Sequence, residues 1–139
     1  MDLRHLSYLR IFAINAIIKC DAQEHVVLRD INLVLSTIPK ANQVIQLSLK
    51  FTILLSLEFT VFSYNPFDGF IGEDWAGMCD EVVRISAGKP LELNLKVSTR
   101  SHRYLEPPGE SELYERIKEK IASLPDYPNI CVHFQYSEA

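Results

Sequence analysis

The sequence predicts an α/β protein, with a mostly parallel sheet backed by helices on one face. Three observations predict it. A short apolar strand, a connector, an amphipathic helix and a further strand recur along the 139 residues. The helical segments carry apolar residues at i, i+3, i+4 and i+7, the spacing of one face at 3.6 residues per turn. The strand segments alternate apolar and polar residues, which buries one face and leaves the other in water. The length suits one domain, and 1–139 reads as a single repeat-like α/β unit.

The first strand is placed at Leu9 to Ile18. Arg4 and Arg10 ahead of the apolar run Ile11 to Ile18 give it a superficial likeness to a secretion signal. Asn15 interrupts that run, and Lys19-Cys20-Asp21 stands where small residues would be needed for cleavage, so a buried strand is expected. Asp21 and Glu24 form a capping-box pair at a helix start, where side-chain oxygens accept from exposed N–H groups. Val27, Ile31, Val34, Leu35 and Ile38 supply that helix with its apolar face, and Pro39 stops it. From Ile45 to Val61 every odd position is apolar while most even positions are polar. This is a strand pattern, but far longer than a usual strand and without an internal turn residue. One long strand, two strands joined by a bulge, and a pairing edge all remain open for it. Asn65-Pro66-Phe67-Asp68-Gly69 ends it in a turn.

A second helix starts at Asp74, with Trp75, Met78, Cys79, Val82 and Val83 facing the core. Gly88 supplies its permissive C-terminal position and Pro90 blocks extension. Leu91, Leu93, Leu95 and Val97 then alternate with Glu92, Asn94 and Lys96 as a strand. Pro107-Pro108-Gly109 turns the chain into a third helix, with Ser111 as N-cap and Glu112 positioned to pair with Arg116. Leu113, Ile117, Ile121 and Leu124 form its buried face, and Pro125 and Pro128 close it. Ile130, Val132 and Phe134 alternate as the last strand.

Composition narrows the function. Hydrophobic residues are 47% and charged residues 23%, an ordinary globular balance. Acids outnumber bases 18 to 14, so there is no positive excess to neutralise phosphates and nucleic acid is not an expected partner. Three widely spaced cysteines, Cys20, Cys79 and Cys131, fit reduced thiols in an intracellular protein, cytoplasmic or nuclear. The run Val44 to Tyr64 has membrane-span length, but Lys50 and Glu58 lie within it, and each would cost about 3 kcal/mol in a bilayer. No membrane association is expected.

Catalytic patterns find no support. Cys131 and His133, two apart on a strand, share a face and are the one thiol–imidazole pair. No acid or amide lies nearby in sequence to orient the imidazole, and packing residues are the favoured reading. His5, His25 and His102 lack ligand spacing, so no metal is expected. Glu73-Asp74 and Asp80-Glu81 sit at or near a helix start, where carboxylates complement the dipole. Trp75 fits a core position. Gly69 and Gly72 lack the rest of a phosphate loop, and no G-x-S-x-G turn exists. The chain is expected to be non-enzymatic and without cofactors.

The strands Leu9-Arg10-Ile11, Leu47-Ser48-Leu49, Leu93-Asn94-Leu95 and Ile130-Cys131-Val132 align at intervals of about 38, 46 and 37 residues. Leu6, Val44 and Tyr127 stand three positions before three of them, giving an L-x-x-L-x-L-like signature. This resembles the strand segment of long, irregular leucine-rich repeats. Together with Leu28-Arg29-Asp30-Ile31, Val34-Leu35-Ser36-Thr37-Ile38-Pro39, Glu73-Asp74-Trp75 and Leu91-Glu92-Leu93-Asn94-Leu95, the chain resembles the leucine-rich-repeat-like region of fungal (basidiomycete) F-box-type proteins. The resemblance implies a scaffold for substrate recognition in a ubiquitin ligase, with an adaptor as partner where a longer form exists. The F-box itself has no counterpart here, so a terminal fragment, a truncated product and a free-standing relative are all open.

The expected function is thus a protein-interaction scaffold. Its binding positions would be the polar strand residues Gln46, Ser48, Lys50, Glu92, Asn94, Lys96, Cys131, His133 and Gln135. The alternative is a compact α/β regulatory or small-ligand-binding domain. A scaffold of this kind keeps its strands in sequence order, whereas the compact domain shows a strand-order switch with a pocket at it. The long alternating segment and the lack of polar caps also predict poor solubility of the chain alone.

Overall fold

The computed structural model describes residues 8–19, 27–54, 68–100 and 110–138. Its elements are β1 (Ile11–Lys19), α1 (Val27–Ser36), β2 (Gln46–Leu54), α2 (Asp68–Ile71), α3 (Trp75–Ser86), β3 (Leu91–Arg100), α4 (Glu110–Lys120), a 3-10 turn at Leu124–Asp126, and β4 (Ile130–Glu138). The four strands make one all-parallel sheet in the order β1-β2-β3-β4, so the α/β class and the parallel sheet both hold.

Alternation decides which face the helices cover. Leu47, Leu49, Phe51 and Ile53 of β2 are fully buried, as are Leu91, Leu93, Leu95 and Val97 of β3. They join one core with Leu28, Ile31 and Leu35 of α1, Met78, Val82 and Ile85 of α3, and Leu113 and Ile117 of α4. Phe12, Ile14 and Ala16 of β1 and Val132, Phe134 and Tyr136 of β4 point the same way but are only half-buried, because each outer strand has a sheet neighbour on one side. Phe51, Phe70 and Trp75 pack as a tilted aromatic trio behind β2, with centroids 5.1 to 6.1 Å apart. The indole N–H of Trp75 donates to the Phe70 carbonyl at 3.0 Å, so the ring is buried with its one polar atom satisfied.

The helix α1 is held at both ends by the unit that follows it. The Leu28 amide, in its first turn, donates to Glu73 Oε1 at 2.8 Å. At its other end α1 has no basic residue in its last turn, and Arg84 of α3 donates to the carbonyls of Leu35 and Ile38, both at 2.7 Å. A cation near the unpaired carbonyls of a helix end is favoured by the dipole, and here it comes from a neighbouring helix. Buried Asn42 does similar work in the loop before β2. Its Nδ2 donates to the carbonyls of Pro39 (2.6 Å) and Ile85 (3.1 Å), while its Oδ1 accepts from the Val44 amide (3.0 Å). Lys89 donates to Val44 and Ile85 carbonyls, and Asn129 to the Lys89 carbonyl, so the loops before β2, β3 and β4 are tied side by side.

Several expectations need correction. The repeat alignment holds for Leu47 and Leu93, which pair in register, but Leu47 meets Phe12 rather than Leu9, and Leu93 meets Val132 rather than Ile130. Leu9-Arg10-Ile11 matched by residue type alone, whereas Ile11 faces water. Of the α1 stripe, Val27 and Val34 are only half-buried, and Leu28, which the stripe left out, is fully buried with Leu35. In α3 Ile85 is fully buried and Val83 is not. The left-handed cap of α3 is Ala87 (φ 47°), followed by Gly88 (φ 79°), so two residues share the role assigned to the glycine. Asp68 and Gly69 belong to the short α2 rather than to a turn, Asp80-Glu81 lie mid-way along α3, Ser111 is already inside α4, and Pro125 lies within the 3-10 turn. Of the 45–61 run, β2 accounts for 46–54. The expectations at Leu6, Asp21 and Glu24, 55–67, His5, Cys20, His25, His102 and 107–109 lie outside the described residues.

No helix among the described residues is long and apolar enough to cross a membrane.

Candidate functional site: the uncovered sheet face

The face opposite the helices is a grid of side chains fixed by strand register. Its rows across β1, β2, β3 and β4 are Ile11, Gln46, Glu92, Cys131; then Ala13, Ser48, Asn94, His133; then Asn15, Lys50, Lys96, Gln135; then Ile17, Thr52, Ser98, Ser137. Parallel neighbours lie about 4.8 Å apart, so each row is a line of touching or nearly touching side chains. All nine residues expected on the exposed side of the sheet are on this face. Lys50, Glu92, Lys96, Cys131, His133 and Gln135 are exposed, while Gln46, Ser48 and Asn94 are half-buried.

The centre is polar and cross-linked. Ser48 Oγ accepts from Gln46 Nε2 and from Asn94 Nδ2, each at 3.5 Å, and Thr52 and Ser98 hydroxyls approach to 3.4 Å. A shallow recess of about 340 Å³ lies over this centre, walled by Ser48, Lys50, Asn94, Lys96, His133 and Gln135. The character changes along the strands. Glu92 stands near the N-terminal end of β3, Lys50 and Lys96 lie side by side in the middle, and exposed Arg100 ends β3. The β1 border is apolar, with Ile11 and Ile17 58% and 67% exposed.

The structure brings together one group that sequence spacing missed. Glu92 Oε1 is 3.0 Å from His133 Nε2, across the β3–β4 pairing, and Cys131 Sγ is 3.4 Å from that same nitrogen. A base for the thiol must turn one ring nitrogen to the sulfur while the acid holds the other. Here carboxylate and thiol share one nitrogen, which is the geometry of a polar surface cluster. Asn15 and Arg100 were also missed. The signal for Asn15 was available in principle, since it interrupts an apolar run at a position with outward parity, but its row partners depend on β1–β2 register.

The other candidates resolve structurally. Asp74 caps α3, accepting from the Gly77 amide at 2.8 Å, and Glu73 serves α1. Glu81 pairs with Arg84 at 2.8 Å, and Trp75 is in the core. Cys79 is buried, and that burial pushes its thiol pKa up, which favours the protonated form. Among the described residues no cluster of His, Cys, Asp or Glu has the makings of a metal site.

No family model, curated protein or solved structure matches the chain.

Proposed function

We propose that the chain is a non-enzymatic protein-interaction scaffold, and that the uncovered sheet face receives its partner. One observation carries this reading: four parallel strands in unbroken sequence order, with one face buried under helices and the other presenting polar side chains in register. A compact ligand-binding α/β domain places its ligand where strand order reverses, and the described strands show no reversal. The resemblance to F-box-type proteins supports a role in substrate recognition for an intracellular ubiquitin ligase, with an adaptor as partner where a longer form exists.

The test is capture from a fungal lysate with three baits: the native chain, Asn94→Trp in the centre of the face, and Glu119→Lys on exposed α4. Circular dichroism and melting confirm that each bait is folded. A protein held by the native chain and by Glu119→Lys but lost with Asn94→Trp supports the reading, and a ubiquitin-ligase adaptor in the same eluate supports the pathway. Equal capture by all three baits refutes the use of this face.

A further inference from the structure

We infer that the uncovered face is built to take an extended acidic segment of a protein partner, rich in aspartate or glutamate, lying along β3. This rests on the scaffold reading above and specifies the chemistry of the partner. The sequence as a whole has a formal charge of −4, yet the middle of this face is basic. Lys50 and Lys96 are register partners on adjacent strands and both are exposed. Like charges directly opposite one another on a sheet disfavour folding, and a pair within about 5 Å has an incentive to share an anion. Neither lysine makes an ion pair with a described residue. The one carboxylate among the described residues of this face, Glu92, lies beside His133 instead.

Geometry sets the form of the guest. Lys96 and Arg100 are four residues apart on one strand and on one face, about 13 Å. An extended peptide repeats its side chains on one face every two residues, so carboxylates at i and i+4 span that same distance. The lysine pair would take the first and Arg100 the second. Ser48, Asn94 and Gln135, around the recess beside the lysines, offer hydrogen bonds to the peptide backbone. Glu92, at the other end of β3, repels acid there and so sets which end of the guest carries its charge.

The probe is a fluorescein-labelled ten-residue peptide of alternating Ser and Glu, compared with the same peptide carrying Gln for Glu, in anisotropy titrations of the full chain. The Glu peptide should bind at least about ten-fold more tightly than the Gln peptide at low ionic strength. Lys50→Ala and Lys96→Ala should each weaken it by about three- to five-fold, and Arg100→Ala by about two-fold. Screening by salt should reduce all of these differences. Both lysine variants should melt no lower than the native chain, since each removes a repulsion, which separates lost binding from lost folding. Equal binding of the Gln peptide, indifference to both lysine substitutions, or no binding of the Glu peptide overturns the acidic preference. The capture experiment stands apart from it: a partner lost with Asn94→Trp but indifferent to Lys50→Ala and Lys96→Ala would keep the scaffold and discard its charge preference.

Discussion

Arg84 should contribute more to stability than a partly exposed arginine normally does. Its guanidinium donates to Leu35 O and Ile38 O at 2.7 Å and to Glu81 Oε2 at 2.8 Å, and its side chain is 32% exposed. Arg84→Met keeps the aliphatic stem and removes all three bonds. A hydrogen bond to a charged donor is worth about 1.5–3 kcal/mol, but not every partner is stranded. Leu35 O keeps a bond from the Ile38 amide at 3.1 Å, and the Glu81 contact is a half-exposed pair worth about 0.5 kcal/mol. Ile38 O takes most of the loss, which brings the total to about 2 kcal/mol. Trp75 is the single tryptophan and lies in the core, so its fluorescence reports urea unfolding. With a slope of about 2 kcal/mol/M the midpoint should fall by about 1 M at constant slope. Arg84→Lys keeps the charge but has no planar fork for two carbonyls, and should recover about half of the loss. A midpoint unchanged by Arg84→Met, or fully restored by lysine, would refute the idea that α1 is capped from the neighbouring helix.

Gly77→Ala, ordinarily stabilising inside a helix, should instead lower stability by about 1 kcal/mol, because a Cβ there collides with the Asp74 carboxylate that caps α3 and crowds Asn32. A raised melting temperature would contradict it. In a Cys20→Ser background, Cys131 should be alkylated quickly and Cys79 only on unfolding. Burial raises the folded pKa of Cys79 above its ordinary 9.0, so its stabilising contribution is present below that value and lost as pH rises through the folded one. Urea midpoints that fall above pH 9 in the native chain but less in Cys79→Ala would show this. Ile11→Lys with Ile17→Lys should reduce self-association in light scattering, since charges replace two exposed apolar side chains on the β1 border of the sheet. Scattering unchanged by the pair would move the sticky surface elsewhere.

How much was legible follows from how local each signal is. The stripe of α3 and the alternation of β3 were read almost residue by residue, because periodicity and an Asp cap are local properties. The sheet face was also legible: parity alone places Lys50, Lys96 and His133 together. Register was not legible, because it depends on where each connector returns the chain, and Leu9 against Phe12 shows the size of that error. Non-local polar partners were equally hidden. Nothing in the sequence near α1 announces Glu73 or Arg84, and nothing beside His133 announces Glu92, since each contact crosses about forty residues or more. Asn42 carries no local signal at all, yet it is buried and bonded to both its own loop and α3.

These two kinds of residue divide the molecule's work. Every large buried side chain of the strands has inward parity, and the polar ties that complete the helices lie on the helical side. The outward set therefore contributes little to holding the fold, and Lys50 opposite Lys96 slightly opposes it. A side chain kept where it does not stabilise the chain is free to be chosen for something else. Folding also constrains neighbours more than units. Because Glu73 and Arg84 reach α1 from the following unit, the Leu28 amide and the Ile38 carbonyl gain those partners only once that unit has docked. The face is accordingly presented by a pair of interlocked units, β1–α1 with α3–β3, and β2 lies between them with Lys50 held at the centre of the row. A guest laid along β3 then meets a surface whose spacing is set by backbone hydrogen bonds rather than by flexible loops, which is what a charge-matching site at fixed intervals requires.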